Sequence, residues 1–142
     1  MKGYKVILVD ADLRNPSTAK VLGMQEQELG TLQVLKGEVK IEDAVQPYKD
    51  TSVMVLAGSS PIQDTSTVLS GENMRQFIKE LEAKADFVVI DTPPSAMLSD
   101  AAIVAQYVDG AVFVIRQDYT EADRILEGME ILSSSGAQIT GC

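Results

Sequence analysis

The sequence has no histidine and no tryptophan, and its one cysteine is Cys142. The first absence removes histidine general bases and histidine metal sites. A lone cysteine removes disulfide frameworks and cysteine-rich metal centres, and fits a reducing, cytoplasmic setting. Bases are scarce: 12 Lys and Arg stand against 21 Asp and Glu, a net charge of -9. That balance disfavours nucleic acid as a partner, because phosphate backbones are held by clustered Lys and Arg. No apolar run approaches the roughly 18 residues that a membrane helix requires. The run after Lys2 and Lys5 is broken at Asp10, which is too early for a signal peptide. Any membrane association would therefore go through a partner. Also missing is a G-x-x-x-x-G-K-[ST] run, the loop that cradles nucleotide phosphates.

What is present is a chain of 142 residues, 45% hydrophobic and 23% charged, long enough for a sizeable core. Apolar runs at 5–9, 87–90 and 111–115 are rich in β-branched residues and do not alternate. They predict buried strands with both sheet faces covered. Residues 53–56 form a weaker fourth strand, closed by Gly58-Ser59-Ser60-Pro61, and 138–140 open a fifth.

Helical spacing lies between these runs. Met74, Phe77, Ile78 and Leu81 predict a helix over 70–84, with Ser70 or Asn73 as its cap. A second covers 99–108. A third covers 120–135, from a Thr120 cap to a Gly136 stop. Residues 31–36 and 41–46 predict two short helices. Strands alternating with helices predict one α/β domain over 1–142, a three-layer parallel sheet flanked by helices. Both ends read as abrupt: Met1 to Tyr4 resembles the tail of a helix, and Ile139 to Cys142 stops inside a strand.

Two of the strands run into acids. Val6 to Val9 leads to Asp10-Ala11-Asp12-Leu13-Arg14-Asn15-Pro16, and Phe87 to Ile90 leads to Asp91-Thr92-Pro93-Pro94. The C-terminal ends of parallel strands face the crevice where open α/β sheets bind ligands. Mg²⁺ takes hard oxygen ligands and keeps several waters. Asp10, Asp12 and Asp91 are its candidate ligands, and Arg14 offers a planar fork to a phosphate. Pro16, Pro93 and Pro94 stiffen the loops. Each acid also has a plainer reading, as a loop residue capping the next helix. Asp100 reads as an acid favoured by a helix N-terminus. Arg116 is a lesser candidate for phosphate or partner contact, and the four tyrosines form no cluster.

The run from Val6 to Pro16 resembles the second Walker motif of bacterial protein-tyrosine kinases of the capsular and exopolysaccharide type. Phe87 to Pro94 resembles their Walker B motif. The likeness continues through Gly30-Thr31-Leu32, Leu35-Lys36-Gly37, Gly58-Ser59-Ser60-Pro61, Ser70 to Met74, Ser99-Asp100-Ala101 and Gly136-Ala137, nearly the whole chain. It implies a P-loop NTPase-like fold and an ATP- and Mg²⁺-dependent tyrosine autokinase regulating polysaccharide synthesis and export. By that resemblance Asp10 activates the substrate hydroxyl near the metal. Asp12 helps hold Mg²⁺-nucleotide, and Asp91 binds Mg²⁺ through water. Arg14 is the motif arginine, either on a phosphate or in the loop architecture. The implied partners are a transmembrane polysaccharide co-polymerase or activator and further copies of the full-length protein. The implied place is cytoplasmic, at the membrane through a partner.

The departures predict a truncated domain. The family's Walker A strand and helix, and its oligomerisation helix, would precede residue 1. Its Pro-Pro-Asn-Pro-Ser-Glu loop reads Pro61-Ile62-Gln63-Asp64-Thr65-Ser66 here. The adenine-contacting segment and the tyrosine-rich tail would follow Cys142. The chain alone is therefore expected to be inactive, and loss of an inner strand is expected to leave sheet edges that invite pairing. Two alternatives remain: a ParA/MinD-like partitioning or septum-positioning ATPase, and a non-catalytic binding module with relic acids. A phosphoacceptor receiver is disfavoured, since no lysine follows Asp91.

Overall fold

In a computed structural model of the protein, which describes residues 3–94 and 99–141, the first apolar run is the strand β1 (Val6–Asp10). The expectations for the two chain ends rest partly on Met1, Lys2 and Cys142, which lie outside the described residues. A short helix α1 (Thr18–Leu22) follows, stopped by Gly23 in the left-handed region. Then come α2 (Thr31–Leu35), α3 (Ile41–Ala44), β2 (Gln46–Pro47) and β3 (Val53–Leu56). Helix α4 (Gly71–Glu82) and strand β4 (Phe87–Asp91) complete the first compact unit, residues 1–91.

The sheet of this unit has the order β2-β3-β1-β4. Strand β1 is parallel to both neighbours, pairing Val6 with Val53 and with Phe87, and Asp10 with Asp91. The two-residue β2 is antiparallel to β3. Its Pro47 suits an outer strand, where a missing N–H costs no ladder bond. Helix α4 buries the four residues whose spacing predicted it, Met74, Phe77, Ile78 and Leu81. Each such burial contributes about 1.5–3 kcal/mol. This helix packs on α2 and β4. Lys84, just past α4, pairs with Glu42 of α3, and that hydrogen bond holds the Glu42 carboxyl below its usual range.

The second unit, residues 92–142, contains α5 (Asp100–Ala105), β5 (Ala111–Val112), α6 (Ala122–Ser134) and β6 (Ile139–Gly141). Strand β5 runs parallel to β6, and Ala101, Ala105 and Leu132 form the core between α5 and α6. Gly136 ends α6 at φ +87°, as its sequence position predicts.

The parallel α/β architecture is as expected; several details differ. Strand β4 is covered on one face only: Phe87 is 55% exposed and Val89 52%. It is the outer strand of its sheet, and a run of apolar residues reads the same whether one face or two are covered. The run 111–115 pairs only at Ala111 and Val112, and Val114 is 86% exposed. Glu121, not Thr120, caps α6. The helix expected over 41–46 stops at Ala44 because Gln46 and Pro47 join the sheet, and that over 99–108 stops at Ala105. Helix α1 was not anticipated. Its signals are Ser17-Thr18 after Pro16 and Gly23 as the stop.

Candidate active site at the ends of β1 and β4

Main-chain pairing brings two of the acids together. Asp10 and Asp91 are register partners at the ends of adjacent strands, and Ala11 N donates to the Asp91 carbonyl at 2.8 Å. The Asp91 residue is exposed, whereas Asp10 is 1% exposed. Burial forces the Asp10 carboxylate to find donors. Its Oδ1 accepts from Asp12 N at 3.1 Å, and its Oδ2 from Ser17 N at 3.0 Å and Thr18 N at 2.9 Å. The Ser17 side chain makes no capping bond. Asp10 thus caps α1 from eight residues upstream and closes the loop on itself.

Asp12 is half-buried and differently engaged. Its Oδ1 accepts from Arg14 N at 3.2 Å and Asn15 N at 2.9 Å, an Asx turn that shapes the loop. Its Oδ2 takes no hydrogen bond among the described residues. Arg14 reaches across the loop after β3. Nη1 donates to the Gln63 carbonyl and Nη2 to Thr65 Oγ1, each at 2.7 Å. Thr65 is fully buried, and Ile62 N donates to the Leu13 carbonyl at 2.8 Å. Of the two roles left open for Arg14, these contacts belong to loop architecture.

The loop after β3 is held from its other side by α2. Gln33 Oε1 accepts from Gly30 N at 3.1 Å and Ser59 Oγ at 2.6 Å, and Thr31 N donates to the Ala57 carbonyl at 3.0 Å. Gly58 passes so close to the acidic loop that a Cβ there would lie 2.1 Å from Pro16 Cβ and 3.2 Å from Asp10 Oδ2. Gly58→Ala is expected to push the loops apart and destabilise by about 1–3 kcal/mol, read as a lower denaturation midpoint. An unchanged midpoint would show that the contact relaxes freely.

Between the two loops lies a polar cleft of about 270 Å³, lined by Arg14, Asn15, Ser17, Lys20, Glu26 and Ser59 among others. A larger, apolar cavity of about 390 Å³ sits at the opposite end of β1 and β3, against Ile41 and Val45. Size alone favours the second, but the first adjoins the loop that follows Asp10 and Asp12, through Arg14, Asn15, Pro16 and Ser17.

The Asp10, Asp12 and Asp91 side chains do not form a cage. Among the described residues, no group of three or more His, Cys, Asp or Glu is placed to hold a metal ion. Mg²⁺ does not need one, since it binds through one or two carboxylates, water and substrate phosphates. The free Asp12 Oδ2 and the exposed Asp91 at the neighbouring strand end fit that donor set. Nothing in the 142 residues fits the phosphates as a lysine-bearing P-loop would. Sequence reading gave no role to Gln33, which holds Gly30 and Ser59, or to Thr65, which receives Arg14. The only sequence signal was the Gly58-Ser59-Ser60-Pro61 turn.

Residues 1–133 match the AAA domain family. The tyrosine-protein kinase YwqD of Bacillus subtilis is 32% identical over 140 residues, 99% of this chain and 59% of that protein. The chain thus spans less than two thirds of that relative. The kinase domain of Escherichia coli tyrosine kinase ETK superposes with a TM-score of 0.88 at 28% identity, covering 97% of this chain and 54% of that one. The septum site-determining protein MinD of Pyrococcus horikoshii, complexed with Mg-ADP, follows at a TM-score of 0.75 and 26% identity, over 96% of this chain and 56% of that one. No described helix is long and apolar enough to cross a membrane. Sequence motif, sheet register and these likenesses agree, and the chain belongs to the AAA domain family, among the capsule-type bacterial tyrosine-kinase domains.

Proposed function

We propose that this chain supplies the acidic half of an ATP-dependent protein-tyrosine kinase site that regulates capsular or exopolysaccharide synthesis and export. The observation that carries the reading is the division of labour at the end of β1. Asp10 spends both oxygens on backbone donors, whereas Asp12 keeps Oδ2 free beside the strand that ends in Asp91. Asp12 is the group that accepts the tyrosine hydroxyl proton or holds the metal's water, and Asp91 is the second metal-facing carboxylate. Bound Mg²⁺ would neutralise charge on the nucleotide phosphates. Asp10 and Arg14 keep the loop in shape for that work. A transmembrane co-polymerase or activator is the proposed partner, further copies of the full-length protein are the proposed self-association, and the cytoplasmic membrane face is the proposed site of action.

The cradle for the phosphates has to come from residues other than these 142. Calorimetry of the folded chain with Mg²⁺-ATP is expected to give no saturable heat, or a Kd weaker than about 100 μM. Micromolar affinity would sink this part of the proposal. The likeness to MinD favours one second reading, a partitioning or septum-positioning ATPase. The full-length protein separates the two: tyrosine phosphorylation supports the kinase, and ATP hydrolysis without it supports the alternative.

A further inference from the structure

We infer that the apolar cavity at the start of β1 and β3 is a binding site for a small aliphatic carboxylate, with its chain against Ile7, Ile41 and Met54 and its carboxylate on Lys5 and Lys84. The inference is independent of the kinase reading above, because the cavity lies at the end of β1 away from Asp10. Its volume of about 390 Å³ falls within the span of small-molecule sites, about 300–1,000 Å³. Strand β1 supplies Val6 and Ile7, β3 supplies Met54, and α3 supplies Ile41, with Val45 just past its end. Such walls bind water poorly, and an apolar guest gives them dispersion contacts that water does not. No aromatic ring is among the described residues that line the cavity, so a flat ring finds no stacking partner there. Branched walls and the flexible Met54 suit an alkyl chain.

The rim carries the charge. Thr51 Oγ1 donates to the Tyr48 carbonyl at 2.5 Å and Ser52 Oγ to the Tyr4 carbonyl at 2.7 Å, so both hydroxyl protons are committed. The remaining polar lining is Lys5, Lys84 and Glu42, two cations and one acid in a chain of net charge -9. Lys84 pairs with Glu42 and has further ammonium protons to donate. The Lys5 ammonium makes no hydrogen bond or ion pair among the described residues. Its neighbour Asp86 accepts instead from Lys5 N, at 2.7 Å. The Lys5 carbonyl accepts from Asp86 N at 2.9 Å and Phe87 N at 3.2 Å, which fixes Lys5 beside the segment that begins at Lys84. An anionic head at this rim meets two cations while its tail meets the apolar floor. About 390 Å³ takes one short chain and not the two long chains of a membrane lipid, so the ligand is a free single-chain acid.

Glu42 competes with that head, since it has the same charge and already holds Lys84. Its side chain is 58% exposed, so water receives the carboxylate once the ligand takes its place. The exchange costs little, because an ion pair at the surface contributes little. Removing the Glu42 charge therefore tightens binding. The sign separates a ligand site from a gap that an ion pair merely holds shut: in the second case the same change loosens the structure and creates no affinity.

The test is an NMR titration of the protein with decanoate, kept below its micelle concentration and read at methyl and amide signals. Saturating shifts are expected at Ile7, Ile41, Val45 and Met54, with a Kd below about 1 mM. Octanoate, shorter by two methylenes, is expected to bind about tenfold more weakly. Lys5→Gln is expected to weaken decanoate about twofold to fivefold, and Glu42→Gln to tighten it by a similar factor. Val45→Phe fills the space and is expected to abolish the shifts; Lys5→Gln, an exposed change, keeps the test readable if that variant folds poorly. An absence of saturation, or shifts confined to the open face at Phe87 and Val89, overturns the inference. Equal binding of decanol or decyltrimethylammonium also overturns it, because the two lysines would then have no part in recognition.

Discussion

Replacing Asp10 with alanine is expected to destabilise the protein by about 3 kcal/mol, a larger loss than at any other acid of the site. Three backbone donors converge on that carboxylate: Asp12 N, Ser17 N and Thr18 N. Water can take over at the exposed Ser17, but Thr18 is 7% exposed. A buried N–H without an acceptor costs about 1–3 kcal/mol. The same substitution releases the start of α1 and the Asp12 turn, so local and tertiary losses add. Asp10→Asn is the sharper variant. It keeps the volume but turns one oxygen into an amide NH2, a donor that faces N–H donors, so it recovers little of the loss. Denaturant unfolding reads both, and the slope tests whether the native state itself has loosened. Midpoints like that of the unsubstituted protein would show that Asp10 is not the keystone of this loop.

Much of this arrangement was legible in the sequence. The runs at 5–9 and 87–90 declare themselves through β-branched residues and terminal acids, and the structure pairs them in register. Met74, Phe77, Ile78 and Leu81 announce the buried face of α4 because spacing alone sets which residues share a helix face. The division of labour between Asp10 and Asp12 was not legible. Both are aspartates of one loop, and what separates them is which backbone N–H groups fold over which carboxylate. Those donors lie up to eight residues downstream, in a helix that the pattern did not reveal. The contacts of Arg14 span 49 and 51 residues, and local spacing carries no trace of them. The open face of β4 was hidden for another reason. An unbroken apolar run reads the same whether one face or both are covered, and here Phe87 and Val89 both stand more than half exposed.

Asp12→Asn is expected to lower tyrosine phosphorylation by the full-length protein by about 10²–10⁴-fold, the range that a positioned general base contributes. Stability should change by less than about 1 kcal/mol, because Asp12 is half-buried and an asparagine oxygen can still accept from Arg14 N and Asn15 N. What the substitution removes is the charge and the free Oδ2, the features assigned to proton transfer and the metal's water. The pair of aspartates thus gives opposite expectations from one chemical change. At Asp10 the amide damages folding, and activity falls with the folded fraction. At Asp12 it spares folding, and turnover falls in a protein that still unfolds at its usual midpoint. A reversed pattern, with Asp12→Asn active and Asp10→Asn stable but silent, would return the catalytic role to Asp10. Equal and small effects at both would leave the acids as scaffolding and favour a binding module over an enzyme. The comparison separates these cases because it reads denaturation and phosphoryl transfer on the same variants, and only one of the two carboxylates has an oxygen to spare.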